Sequence, residues 1–466
     1  MSLTSGLYTG VSGLTSTGNT MQIIGNNISN ANTIGYKSSD YCFEDLLSQS
    51  ISTQSGSTQV GRGSAISTVD LDFTQGSFEN TGNATDLAIG GDGFFKVVDP
   101  DSGSTYYTRA GNFEFDKEGN LVTSDGYIVQ GWSLDENGEA QGSVTDIILG
   151  SFTSPPQASE IVTLITNLDA DSTSNTADLA SSWDATNDPV ISSESYEYQT
   201  TLAVYDSLGS QHDITVYYDK SDTADSTWEY IVTCSPSEDN RAGFATTTYQ
   251  GLLASGTIEF SESSGSILDL TMNSVDPATG AWTAGTVDTN GYYEFSANFL
   301  GGATTDMSIE LDLGTRFDGT VWDNSSLSST QYAKASTTTY QTADGYGSGD
   351  LQDIDVDSDG VITGVYSNGE IIPLYQLALA DFLSPQGLYS VGGNLFRETR
   401  DSGTAITNVP GTSGLGSISP NSYEQSNVDI ATEFVNMITI QRAYQANSKI
   451  ITTLDAMLSE TIDMKR

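Results

Sequence analysis

The stretch GNNISNANTIGYKSS, Gly25 to Ser39, closes a neutral amphipathic segment and holds the first charged side chain of the protein, Lys37. The whole sequence has 466 residues and a formal net charge of −46, so a neutral opening needs a reason. Upstream, Leu3, Leu7, Gly10, Leu14, Thr17, Met21, Ile24 and Ile28 recur at spacings of four and three. That heptad pattern predicts a helix. The asparagines predict its end, because Asn competes for backbone hydrogen bonds and favours caps and turns. Gly6, Gly10, Gly13 and Gly18 each cost about 1 kcal/mol relative to Ala in a helix. Such a helix is not expected to hold alone. Its other flank offers Ser, Thr and Gly, which permit close helix approach, and the segment reads as one made to be surrounded.

The far end of the chain supplies a matching helix. Ser426 followed by Asp429 reads as a capping start, and Lys465 and Arg466 suit the negative end of the dipole. No Pro or Gly interrupts Asn427 to Arg466, which predicts a helix of roughly 60 Å. Val428, Ala431, Val435 and Ile438 form one apolar seam; Ile440, Ala443, Asn447, Ile450, Leu454, Met457 and Thr461 form another. The two-residue offset between them turns the seam by about 200°. A helix with two seams touches different neighbours at different heights, which is an assembly helix.

Between the ends the apolar period becomes two. Lys117-Glu118-Gly119-Asn120 and Ser124-Asp125-Gly126 read as hairpin turns between short strands, and HDITVYYDK and MSIELDLG alternate like strands. The Ser/Thr-rich stretches near 172–200 and 324–345 read as linkers or long loops. Acids are concentrated in the middle, with 27 acids against Lys220, Arg241, Arg316 and Lys334 between 157 and 340. This balance speaks against nucleic acid, which wants a basic face, and against an anionic membrane surface. No stretch is apolar and long enough to span a membrane as a helix, so membrane insertion is not expected. A cleavable signal peptide is not expected either, since the N-terminus lacks a basic region and an unbroken apolar run.

Chemistry-bearing patterns are sparse. Asp355, Asp357, Asp359 and Gly360 match the start of a calcium loop, but Tyr366 stands where a bidentate Glu belongs; an Asp-Gly turn is the plainer reading. Cys42 and Cys234 make no disulfide framework, and one histidine, His212, leaves little for zinc. His212 has no nucleophile motif beside it. Gly90-Gly91-Asp92-Gly93 lacks the Lys of a phosphate loop. No enzyme and no cofactor are expected.

The opening stretch resembles the signature shared by the axial proteins of the bacterial flagellum, the rod and hook subunits, at Gly25, Asn26, Asn27, Asn30, Ala31, Asn32, Gly35, Tyr36 and Lys37. SNVDIATEFVNMITIQRAYQANSKIITTLDAML is similar to the C-terminal signature of the same family, with Gln441, Arg442, Ala443, Tyr444 and Gln445 at its heart. Residues 73–95 and 389–405 agree as well, so the resemblance covers roughly half the chain in the family's order. The stretch 202–220, LAVYDSLGSQHDITVYYDK, resembles the start of the outer domain of hook members, which shorter rod members lack.

The resemblance implies a multidomain α+β fold. Residues 1–30 and 427–466 would pair as a coiled-coil-like inner helical domain, with 31–72 as a linking segment. Residues 73–156 and 341–426 would form a β-rich middle domain, with 157–340 inserted as an outer β-rich domain that has room for an extra subdomain. It implies a helical homopolymer, a curved flexible tube between rod and filament, outside the cell. Implied partners are the rod, a hook cap, hook–filament junction proteins and the flagellar type III export apparatus. The assembly residues would be Leu3, Leu7, Leu14, Met21, Ile24, Ile28, Val428, Val435, Ile438, Ile440, Ile450, Leu454 and Met457. Some relatives are cross-linked through a Cys and a Lys, for which Cys234 and Lys220 would be the pair here. A distal rod subunit, or a secreted acidic carbohydrate-binding or hydrolytic β protein, are the alternatives.

Overall fold

The computed structural model describes residues 3–53, 56–135, 138–150, 152–277, 279–300 and 306–464. The chain divides into two compact units: residues 1–152, 351–365 and 371–466 form the first, and 153–350 with 366–370 form the second. Most described residues outside the termini are in short strands and turns, with one long helix at each end of the chain.

In the first unit, helix α1 (Leu3–Ser29) and helix α2 (Ile430–Asp463) pack antiparallel. Gly6 lies against Leu454, Gly10 against Ile451 and Gly13 against Asn447. A methyl group on Gly10 would come within 2.9 Å of Ile451, and one on Gly13 within 2.7 Å of Asn447. These glycines weaken α1 as a lone helix and bring α2 close enough to support it. The start expected at Asn427 is corrected: α2 begins at Ile430, capped by the Asp429 carboxylate, which accepts from the amides of Ala431 and Thr432. Asn427 is held back because its side chain binds the Ser38 amide and the Asp72 carbonyl. Lys465 and Arg466 lie outside the described residues, as does the Leu3 side chain.

The β portion of this unit is antiparallel and centred on Phe94–Val98, which pairs with Thr105–Thr108, Ile128–Leu134 and Leu379–Asp381. Alternation sends successive side chains of this strand to opposite faces. Phe95 and Val97 join Leu87, Ile89, Val129 and Leu379 in one core. Phe94 joins Tyr107, Phe382 and Phe396 in a second, aromatic core. The turn at 117–120 forms as expected, with the Asp116 carboxylate accepting from the amides of Glu118 and Asn120. Strands Ser39–Asp45 and Ser64–Leu71 make a two-stranded arm.

The second unit combines two sheets. One is a six-stranded antiparallel meander from Tyr198–Tyr205 to Trp282–Ala284. The other is five-stranded around Ile161–Asp169. Val162, Leu164, Val216, Trp228, Phe260 and Leu311 belong to a single buried cluster that both sheets share. Of the two stretches read as linkers or long loops, 172–197 is a long loop with one short 3-10 turn, and 324–345 is corrected, since it carries two strands. Leu179, Trp183 and Ile191 pack on Ile231 and Leu252 and cover the other face of the meander, with the Trp183 indole donating to the Gln250 carbonyl at 3.1 Å. Thr330–Tyr332 and Thr337–Ala343 are strands paired with Ile161–Asp169. Threonine-rich runs suit a pleated, half-buried strand, and three apolar residues are enough to pin a polar strap.

Candidate assembly surface

The opening signature is a junction between α1 and the β portion of the first unit, built around buried charge. The Lys37 ammonium donates to Glu424 Oε1 at 2.7 Å and to the Thr74 carbonyl at 2.7 Å. Arg109 stands 3.6 Å from Glu424 Oε2 and donates to the Gly91 carbonyl. The three side chains are 1%, 2% and 0% exposed for Lys37, Arg109 and Glu424. Glu424 Oε1 also accepts from the Gly76 amide, and the Glu424 carbonyl accepts from the Gly35 amide. Burial pulls the Lys37 pKa down, and the adjacent Glu424 carboxylate opposes that pull. Burial lowers Arg109 in the same way. Two cations share one carboxylate, so removing Glu424 would leave uncompensated buried charge.

The signature residues bind this junction from the helix side. Asn27 Oδ1 accepts from the Ser39 amide at 3.0 Å and from the Tyr36 hydroxyl, while its Nδ2 donates to the Ser39 carbonyl and to Glu433 on α2 at 2.9 Å. The Tyr36 hydroxyl accepts from Asn26, and Asn30 donates back to the Asn26 carbonyl. Gly35 has φ +67, and a methyl group there would sit 2.5 Å from the Ala110 amide nitrogen. Only glycine satisfies both the backbone conformation and the close approach. Asn394 reaches across to the Ile34 carbonyl at 2.7 Å. Gly25 and Ala31 are half-buried and Asn32 exposed. Arg109, Glu424, Asn427 and Asn394 escaped the sequence reading. The available signal was Lys37 itself, a lone base in a neutral run.

The helices present two kinds of face. The buried side of α1 carries Gly10, Ser16, Thr17, Thr20, Ile24 and Asn27, so small side chains dominate it, while Leu7, Leu14, Met21 and Ile28 are half-buried on its flank. On α2, Ile440 is buried and Ala443, Asn447 and Leu454 are half-buried. Ile450 and Met457 of that seam are exposed, as is Thr461. The other seam points away: Val428 is half-buried, Ala431 is exposed, and Val435 and Ile438 are 63% and 50% exposed. Phe434 and Ile430 extend this open apolar face. Gln441, Arg442, Tyr444 and Gln445 are exposed beside it. Together Ile430, Phe434, Val435 and Ile438 form an open apolar strip on the N-terminal part of α2.

The remaining candidates do not converge on chemistry. Asp357 turns its carboxylate to the amides of Asp359 and Val361, and Asp355 to that of Val356, which makes a hairpin turn between Gly349–Val356 and Val361–Tyr366. Among the described residues, the carboxylates close enough together to share a metal are Asp288, Glu294 and Glu310 rather than these. Cys234 opposes Ile214 and Lys220 opposes Trp228 in one hairpin, so they sit at opposite ends of it. Both are buried; burial pushes the Cys234 thiol up to about 12, and Lys220 donates to the Ala170 carbonyl. His212 is buried, stacked on Phe299 and flanked by Asp206 and Glu238. No helix of the described residues is long and apolar enough to cross a membrane.

Comparison with known proteins places four segments in flagellar families. Residues 7–37 match "Flagella basal body rod protein", 88–163 "Flagellar hook protein FlgE/F/G D1 domain", 167–346 "Flagellar basal body protein FlaE D2 domain" and 420–464 "Flagellar basal body rod FlgEFG protein C-terminal". The flagellar hook protein FlgE of Borreliella burgdorferi is 33% identical over 482 residues, covering 98% of this chain and 99% of the relative. FlgE of Salmonella typhimurium is 32% identical, covering 98% of each. The crystal structure of Helicobacter pylori flagellar hook protein FlgE2 aligns with 73% of this chain and 98% of that one, at TM-score 0.44 and 15% identity.

Proposed function

The chain belongs to the flagellar hook protein family, and from that premise we propose how its own surfaces build and bend a polymer. It is a structural subunit of the bacterial flagellar hook. The observation that carries the proposal is the open apolar face of α2, with Val435 and Ile438 turned away from α1 in the single chain. In the polymer this face is covered by helices of neighbouring copies, through heterologous contacts that continue into an open helix rather than close into a ring.

The proposed division is an inner helical domain of 1–30 and 427–466 in coiled-coil-like contact and a linking segment of 31–72. Outside these lie a middle domain of 73–156 with 341–426 and an outer domain of 157–340. Close-packed helices resist twisting, because dense interiors deform little. The acidic outer surfaces repel one another within about 8 Å at physiological salt, which keeps their contacts small and free to slide as the tube bends while turning. The rod below, a cap during growth, junction proteins above and export of the unfolded chain by the type III apparatus complete the proposed setting, outside the cell.

Antibody raised against residues 157–340, located on sheared flagella by electron microscopy, tests this reading. Label along the short curved segment between basal body and filament is expected. Label confined to the straight rod would replace it with the rod-subunit alternative.

A further inference from the structure

The chain passes between its two units after residues 152, 350, 365 and 370. The first two passages are single extended segments. The last two are the limbs of one hairpin, Val361–Tyr366 with Ile371–Leu377, whose turn at 366–370 belongs to the second unit. Within the second unit, the three segments that border these passages are tied together. Thr153 pairs with Asp350 and Ser154 with Gly349. The turn joins them at Asp350, whose amide donates to Ser367 Oγ at 2.9 Å and whose carbonyl accepts from the Ser367 amide at 2.8 Å. Asn368 then reaches both strands. Its Nδ2 donates to the Gly347 carbonyl at 2.8 Å and to Ser154 Oγ at 3.3 Å, while its Oδ1 accepts from the Glu370 amide of its own turn at 3.2 Å. A carbonyl only accepts and an amide only donates, so these partners fix which way the carboxamide faces. Ser154 is 2% exposed, and its hydroxyl also accepts from the Gly349 amide. A methyl group on Gly349 would lie 2.6 Å from Asn368 Cγ, so glycine leaves the carboxamide its place.

We propose that Asn368 is a positioning residue that pins these three segments into one root, so that the second unit moves as a piece on a single hinge. Relative motion of domains is the ordinary expectation where the chain between them is free. Hinges are a few residues that absorb the backbone change, and separate crossings would each absorb it separately. One carboxamide commits both strands and the hairpin turn together. Sliding any of the three past the others breaks a hydrogen bond to the buried Ser154 hydroxyl or to the Gly347 carbonyl, and a buried polar group left without its partner bears the full cost of desolvation. The tie uses no charge, so salt and pH leave it in place. The inference concerns the single chain and goes beyond the hook-subunit reading; it stands or falls without that reading.

The test uses the full chain in dilute solution, with Cys42→Ser to remove the exposed thiol and spin labels on pairs of introduced cysteines; Cys234 is buried and stays unlabelled. One pair, Lys117→Cys with Asp225→Cys, spans the two units, and the other, Asp225→Cys with Asp318→Cys, lies within the second. All three positions are exposed. Double electron–electron resonance gives the distribution of distances for each pair. Asn368→Ala should broaden the distribution between the units and leave the one within the second unit unchanged. Asn368→Asp keeps the acceptor for Glu370 and loses the donor, and should broaden the first distribution as much. Equal widths in the parent and both variants would overturn the pin. Broadening by Asn368→Ala alone would assign the effect to the turn and overturn the tie to the strands. Broadening of both distributions would overturn the proposal as well, since Asn368 would then hold the fold of the second unit rather than its attachment.

Discussion

The Lys37 ammonium and the Glu424 carboxylate meet at 2.7 Å across 387 residues of sequence. The contact ties the segment after α1 to the segment before α2, and the Arg109 guanidinium shares its carboxylate. The pair therefore ties both helices to the β portion of their unit.

Replacing Glu424 by Gln strands two buried cations. The expected loss is about 3–5 kcal/mol of stability in the first unit, read by denaturant unfolding of the full chain. Lys37→Met leaves Arg109 to face Glu424 and should cost clearly less. An equal loss from the two substitutions would show that the charge balance described here is not what stabilises the junction.

The glycines of α1 separate into two kinds. A methyl group on Gly18 meets nothing within 4 Å, so Gly18→Ala should stabilise the single chain by about 0.5–1 kcal/mol through helix propensity alone. Gly13→Ala must displace Asn447 and should lose that gain or reverse it. Circular dichroism melts of the two variants give the comparison directly. If Gly18→Ala is more stable yet fails to polymerise, the space beside Gly18 belongs to a neighbouring copy.

Val435→Asp and Ile438→Asp alter side chains that face water in one subunit. Each should shift monomer stability by no more than about 0.5 kcal/mol and block polymerisation, checked by pairing unfolding curves with sedimentation. Normal polymers from both variants would remove the α2 face from the assembly.

The two cysteines should behave differently towards an alkylating reagent at pH 8. Cys42 is exposed, whereas Cys234 is buried with its thiol pushed up to about 12. Mass spectrometry of the intact native protein should find one modification, at Cys42, and a second only after denaturation. Thiolate is the reactive form, so the slow site is doubly protected.

Alkali should destabilise the second unit through its buried thiol and phenols. Cys234, Tyr218 and Tyr230 all have pKa values raised by burial. Below about pH 7.5 both folded and unfolded chains keep these protons, and the groups add no pH dependence. Above it the unfolded chain releases them while the native chain cannot, so stability falls as pH rises towards 12. A midpoint in urea that stays constant from pH 8 to 11 would contradict this account.

The helical ends were legible because a heptad stripe survives at the level of residue type, and the hairpin turns at 117–120 and 124–126 because Gly and Asp announce them. The buried face of α1 was harder to read. It runs through Gly10, Thr17, Thr20 and Asn27, small and polar residues whose burial depends on the partner helix, while the leucines that drew attention lie on its flank. The Lys37–Glu424 contact left no local trace at Glu424, since nothing in SYEQS marks that glutamate as buried. Composition announced a long loop at 172–197 but not that Leu179, Trp183 and Ile191 pin it against a sheet. The shared core of the two sheets in the second unit likewise depends on long-range pairing, which no window of sequence displays.

The order in which the chain closes follows from the same junction. Lys37 and Arg109 lie in the first quarter of the sequence, and the carboxylate that neutralises them arrives only near residue 424. The whole second unit, itself able to bury its own core, is translated in between. Chains dominated by such distant pairings collapse slowly, because loop closure precedes any reward. A polypeptide delivered from its N-terminus would therefore carry its first segment open, with two unpaired cations still in water, until Glu424 of the 466 residues had followed. Completion of the subunit is thus a late event, set by connectivity rather than by any separate timing device.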